Sequence, residues 1–147
     1  MRLIKWLIGL LLSTCLAVAG WLWLTMLSPF MYDRPAHLEP IAEGPHRVFV
    51  YGTLRYALVR WVVMGRAGEA RPATLEGFQR DALDISESPQ ASVEGEIITV
   101  SAEELARLDR YERLGLRYER VRLDLADGRE AWVYRRLEAA TSESSAL

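Results

Sequence analysis

Apolar positions fall into two regimes along this chain. From Trp6 to Leu27 no charged residue occurs, and Leu, Ile, Val, Ala and Trp dominate. Such a run of about 22 residues, at about 1.5 Å of rise each, reaches roughly 33 Å and can cross the hydrocarbon core of a bilayer. It predicts one transmembrane helix over 6–27, with Trp21 and Trp23 toward the far end, where indoles settle at the lipid–water boundary. Beyond it the apolar residues come in short bursts. "RVFVY" at 47–51 reads as a strand covered on both faces. Residues 54–64, "LRYALVRWVVM", can form a helix despite their β-branched content. "TLEGFQRDAL" (74–83) and "ASVEGEIITV" (91–100) read as two strands with glycine interruptions, joined by the acidic, turn-prone "DISESPQ".

The segment "SAEELARLDRYERLG" (101–115) is the clearest helix of the soluble part. Ser101 with Glu104 makes a capping box, and Gly115 can end the helix. Then Val121, Leu123 and Leu125 alternate, Asp127-Gly128 supplies a turn that tolerates positive φ, and the strand pattern resumes from Ala131 to Tyr134.

Charge order orients the chain. Arg2 and Lys5 precede the uncharged run, whereas only Arg34 follows it closely, among Asp33, Glu39 and Glu43. The positive-inside rule then keeps the N-terminus cytoplasmic and sends the soluble domain to the outer, periplasmic or extracytoplasmic, side. Arg2, Lys5 and the small-x-small step Ala17-Val18-Ala19 also fit a cleaved secretory signal. The apolar run extends to Leu27, beyond the roughly 7 to 15 residues of an ordinary signal core, which favours an uncleaved anchor. Residues 28–46 hold Pro29, Pro35, Pro40 and Pro45 and are expected to be a semi-rigid tether. The folded domain is expected over 47–138, and the polar tail 139–147 to fray.

At 147 residues there is room for one domain, and a net charge of −2 lacks the basic footprint of a nucleic-acid binder. The arginines at 107, 110, 113, 117, 120 and 122 are interleaved with Asp109, Glu112 and Glu119, as on a salt-bridged surface. Cys15 is the only cysteine, so no internal disulfide can form. Nucleophile-elbow, zinc and dinucleotide motifs are absent from the sequence, and His37 and His46 lie in the expected tether. Trp61 and Trp132 read as core residues.

Two features carry possible chemistry. Leu105, Leu108 and Glu112 stand at i, i+3 and i+7, so the helix aims a carboxylate along its apolar stripe. Burial would raise that pKa toward the range useful for proton transfer, unless Glu112 simply pairs with Arg113, Arg117 or Arg120. Asp109 borders the same face and could be a structural hydrogen-bond acceptor. The second feature is the strand end "VYGTL": a glycine there, followed by a helix start, presents backbone N–H groups to an anion or oxyanion, although an ordinary turn has the same sequence form.

Together "VFVYGTLR", "VEGEI" and "LDRYE" followed by Tyr118 and Arg120 resemble the γ-glutamylcyclotransferase family, in its γ-glutamylamine-cyclotransferase-like branch, over nearly all of residues 47–136. The resemblance implies an α+β fold around a small mixed β-barrel with flanking helices. It implies an enzyme that releases 5-oxoproline and a free amine from a γ-glutamyl amide or peptide, without metal or organic cofactor. It further implies Glu112 as general acid/base, a substrate cradle at Tyr51, Gly52, Thr53 and Leu54, and Tyr118 in the pocket wall. The glycine that usually follows the LDxxE motif is replaced here by Arg113, and the segment before "VEGE" is short and acidic. The expected partners are thus a small γ-glutamyl substrate and, through the N-terminal helix, a lipid bilayer. The alternative is a membrane-tethered binding module of the same fold that does not turn over.

Overall fold

In the computed structural model, which describes residues 1–137, the uncharged N-terminal run is helical. Helix α1 spans Arg2–Leu22 and continues through a π-helical turn, Trp23–Leu27, with no buried residue in either. Within Arg2–Leu27 an 18-residue stretch has a mean hydropathy of 2.1, so the helix is long and apolar enough to cross a membrane, a property that signal sequences near an N-terminus share. It belongs to a compact unit, Met1–Asp33, and a second unit begins at Arg34. Residues 34–46, expected as part of a tether, therefore fall within the second unit. The tail at 139–147 lies outside the described residues.

Among the described residues, five strands and two helices build the second unit. They are β1 (His46–Val50), α2 (Ala57–Met64), β2 (Ala70–Asp81), β3 (Asp84–Val100), α3 (Ala102–Tyr111), β4 (Tyr118–Asp124) and β5 (Glu130–Arg136). A 3-10 turn, Thr53–Arg55, separates β1 from α2. The sheet order is β2-β3-β1-β5-β4, with β1 parallel to β5 and the other neighbours antiparallel. The expected barrel does not close. β2 and β4 are the sheet edges; a backbone bond from Ala126 N–H to Thr74 C=O (2.9 Å) brings the β4–β5 turn to β2 without a ladder between them. A seven-residue β4 and a twelve-residue β2 whose register breaks between Glu76 and Phe78 leave little common edge to zip.

The segment "DISESPQ", expected as a connection, is instead the first part of β3. It pairs back on β2 across the two-residue turn Ala82-Leu83, with Asp84 opposite Asp81 and Glu87 opposite Phe78. Pairing then lapses until Ser92 meets Glu76, and Pro89, which has no N–H to give a ladder, falls inside that lapse.

The core is formed by Phe49, Leu75, Val93, Ile97 and Val133, all buried between the strands. Gly95 explains the glycine of "VEGE": a Cβ there would come within 2.6 Å of both the Phe49 ring and the Val50 carbonyl oxygen. Gly95→Ala is expected to lose about 1–3 kcal/mol through overpacking, read as a lowered denaturant midpoint with unchanged slope. Trp61 is not a core residue. It is 59% exposed, because α2 turns Arg60, Val63 and Met64 inward and leaves Leu58, Trp61 and Val62 on the outer face. Trp132 is half-buried, with the guanidinium groups of Arg120 and Arg122 over its ring at 4.6 and 4.5 Å from the ring centre.

Candidate active site

Both ends of α3 are set by local chemistry. Ser101 Oγ accepts from Glu104 N–H at 3.2 Å while Glu104 Oε2 accepts from Ser101 N–H at 2.8 Å, the expected capping box. The other end is a Schellman motif: Arg113 N–H donates to Arg110 C=O (3.1 Å) and Leu114 N–H to Asp109 C=O (2.9 Å). Glu112 is the C-cap and Arg113 takes φ +52. This is the left-handed position that a glycine fills most cheaply, which accounts for the glycine that usually follows LDxxE. The helix thus ends before Gly115, the expected terminator.

Leu105 and Leu108 are fully buried, so the inward face read from the sequence is the real one. Glu112 is half-buried on that side. Among the described residues its carboxylate has no hydrogen-bond or ion-pair partner. Burial pushes its pKa up to about 7, against a smaller downward pull from the charge of Arg117. Arg120, one of the expected partners, goes to Asp109 instead.

Asp109 is completely buried and collects the polar contacts. Its Oδ1 accepts from Tyr134 OH (2.6 Å) and Arg120 Nη1 (2.9 Å), and its Oδ2 from Arg34 Nη1 (2.6 Å). It is therefore the structural acceptor anticipated from its position. Tyr134 joins this hub to the glycine turn, since its carbonyl accepts from Tyr51 OH at 2.6 Å. Burial raises the Tyr51 phenol well above its usual value, and the charges of Asp84 and then Glu112 push it further. Tyr51 thus remains a neutral donor with the Glu112 carboxylate within its electrostatic reach.

After Tyr51 the chain turns sharply. Arg55 N–H donates to Gly52 C=O (3.2 Å) and Tyr56 N–H to Thr53 C=O (3.1 Å). The amides of Gly52, Thr53 and Leu54 precede these bonds and, as at any helical start, have no acceptor within the turn. Buried Arg60, which sequence reasoning passed over, secures the other end by donating to the carbonyls of Leu54 (2.9 Å), Arg55 (2.7 Å) and Ala67 (2.6 Å). The sequence offered only a lone arginine within the apolar helix segment, without its partners. Thr53 Oγ1 and Tyr111 OH, 3.2 Å apart, link the turn to the end of α3.

A cavity of about 390 Å³ opens beside the turn, lined by Gly52, Thr53, Arg55, Tyr56, Arg80, Leu83 and Glu96. Of the sequence-predicted residues, Gly52 and Thr53 line it, whereas Tyr51 and Leu54 are buried. Tyr118 OH donates to the Leu83 carbonyl at 3.3 Å and so meets the hairpin tip that forms one cavity wall. Glu112 is not in this lining. Its chain neighbour Tyr111 reaches the turn through Thr53, and its charge acts on buried Tyr51.

A family model for gamma-glutamyl cyclotransferase, AIG2-like, matches residues 48–146. The chain belongs to that family. Within this AIG2-like family, Protein AIG2 C of Arabidopsis thaliana is 37% identical over 87 residues, which cover 54% of this chain and 52% of that protein. The match thus spans about half the length of that relative. A solution structure of an Arabidopsis thaliana protein, 30% identical, superposes with a TM-score of 0.56 over 70% of this chain and 76% of its own. A solved gamma-glutamyl cyclotransferase, 16% identical, reaches a TM-score of 0.50 over 64% of this chain and 68% of its own, a likeness of fold alone.

Proposed function

We propose that this AIG2-like protein is a cyclotransferase of the γ-glutamylamine-cyclotransferase-like branch, releasing 5-oxoproline and a free amine from a γ-glutamyl amide or peptide. The observation that carries the reading is Glu112: a half-buried carboxyl group with no partner among the described residues and a pKa near 7. A carboxylate kept in that state has a cost in stability, and proton transfer is the chemistry that such a group suits.

The reaction needs little else. Glu112 takes a proton from the substrate α-ammonium, the freed amine attacks the γ-carbonyl carbon of the same molecule, and a five-membered tetrahedral adduct forms. The amides of Gly52 to Leu54 donate to its oxyanion. Collapse breaks the C–N bond to the leaving amine, which takes its proton from Glu112; the carboxylate so regenerated accepts the second proton of the attacking nitrogen as the lactam forms and returns it to water. Gly52 and Thr53 line the cavity that would take the folded substrate, Tyr118 supports its Leu83 wall and buried Tyr51 backs the turn; holding the substrate folded supplies the proximity term. In the same reading residues 6–27 anchor the chain in a bilayer, with the N-terminus cytoplasmic and the domain outside.

The test is to incubate the full chain, in detergent micelles, with a panel of γ-glutamyl peptides and γ-glutamyl amines and to assay 5-oxoproline. Product supports the reading. Absence of product across the panel favours the second one, a binding module of the same fold. That alternative draws on the cavity lining, which includes Gly52 and Thr53 but not Glu112.

A pH dependence follows from the same group. Only ionised Glu112 can act as base, so kcat/KM is expected to rise with pH through about 7, well above the ordinary 4.5 of a glutamate. Stability moves the other way. A carboxyl whose folded pKa is raised holds its proton more tightly in the folded chain, so its contribution favours folding below about 4.5 and is lost as pH rises through about 7. Denaturant midpoints from pH 4.5 to 8 should fall more steeply for the parent than for a Glu112→Gln variant.

A further inference from the structure

Residues 34–39 precede the family match, which begins at 48, yet they are seated on the end of α3. The Arg34 guanidinium is a two-pronged clip. Nη1 donates to the buried Oδ2 of Asp109 at 2.6 Å, and Nη2 donates to the Glu39 carbonyl at 2.7 Å, closing the segment into a loop. Leu38 N–H donates to Pro35 C=O at 3.2 Å inside that loop. A second contact lies on the other side of Glu112. Gly115, at φ +80, sits so close to the segment that a Cβ there would come 2.8 Å from Pro35 Cγ and 3.3 Å from Leu38 Cδ1. The segment therefore grips the chain at residue 109 and at residue 115, and the Schellman turn that carries Glu112 lies between the two grips.

We infer that residues 34–39 are a strap that positions Glu112, with Arg34 a positioning residue acting through Asp109. The inference rests on the reading of Glu112 as the proton-transfer group. Its physical content is specific. Asp109 holds the turn in two ways, through a backbone carbonyl that accepts from Leu114 N–H and through a side chain that Arg34 and Arg120 clamp. Arg34 is the more exposed of the two clamps, with 30% of its side chain open against 9% for Arg120. Losing it leaves Asp109 still paired with Arg120 and Tyr134, so the domain keeps its core while the turn loses one side of its support. A lysine can reach Asp109 but has no second prong for the Glu39 carbonyl.

The experiment compares Arg34→Met and Arg34→Lys with the parent, all as full chains in detergent micelles, by amide hydrogen exchange and by steady-state kinetics. For Arg34→Met, amides 113–116 are expected to exchange roughly tenfold faster, the scale of one lost charge-assisted hydrogen bond, while β1 and β5 amides stay within about twofold. In the kinetics kcat falls about tenfold with KM within about twofold, because proton transfer is misaligned and binding is not. Arg34→Lys recovers part of both changes. Unchanged exchange at 113–116 overturns the strap, and so does an increase spread equally over β1 and β5, or a kcat loss that only follows the folded fraction. A parent that makes no 5-oxoproline removes the catalytic reading alone, since exchange still decides whether the strap holds the turn.

Discussion

Glu112→Gln is expected to lower kcat for 5-oxoproline release by about 10²–10⁴, the usual worth of a positioned general acid/base, with KM within about threefold. The amide has nearly the same shape as the carboxyl group but can neither take up nor give back a proton at neutral pH. Folding is expected to survive, because the substitution removes a half-buried charge that no described residue pairs. The thermal midpoint at pH 8 should therefore equal or exceed that of the parent. Product formation by the variant at parental rate would remove Glu112 from the mechanism. A folded variant that has lost only kcat would place the proton transfer there.

Asp109→Ala carries the largest expected effect on stability. It strips the acceptor from Arg120, whose side chain is only 9% exposed, from the Tyr134 hydroxyl and from Arg34. Breaking a buried ion pair from one side costs about 3–5 kcal/mol, much of it from the charge left without a partner. Against a typical domain stability of about 5–15 kcal/mol, this leaves little. Urea titration at pH 7 should show a large drop in midpoint, or no folded baseline at all. Asp109→Asn retains an oxygen for Tyr134 or Arg120 and should lose less. A change under about 1 kcal/mol in the alanine variant would mean that the buried cluster contributes little.

Both predictions concern four consecutive positions of one helix end, and the two carboxylates differ in how legible they were. Periodicity alone aimed Glu112 inward, because 100° per residue leaves no freedom once Leu105 and Leu108 define the face. Asp109 was legible only as a possible acceptor beside that face, and which carboxylate the arginines would clamp was not, because Arg113, Arg117 and Arg120 were each within reach of Glu112. Only the packing of β4 and of residues 34–39 against α3 delivered Arg120 and Arg34 to Asp109. The same limit explains Trp61: helical periodicity permitted an inward Arg60, but nothing local announced that three carbonyls would converge on its guanidinium.

What the chain determined by itself is what short-range chemistry dictates: the uncharged N-terminal helix, the strand leading into Tyr51-Gly52, the capping box of α3 and the Asp-Gly hairpin. Each is set by residues within a turn or two of one another. Tertiary structure decided the rest. "DISESPQ" became strand because the partner β2 lay across a two-residue turn, outweighing a weak local preference. The sheet stayed open because a seven-residue β4 and an irregular twelve-residue β2 share little edge, and Arg34 met Asp109 across 75 positions of sequence. Such contacts depend on the shape of the assembled sheet, and no periodicity within a single segment encodes them.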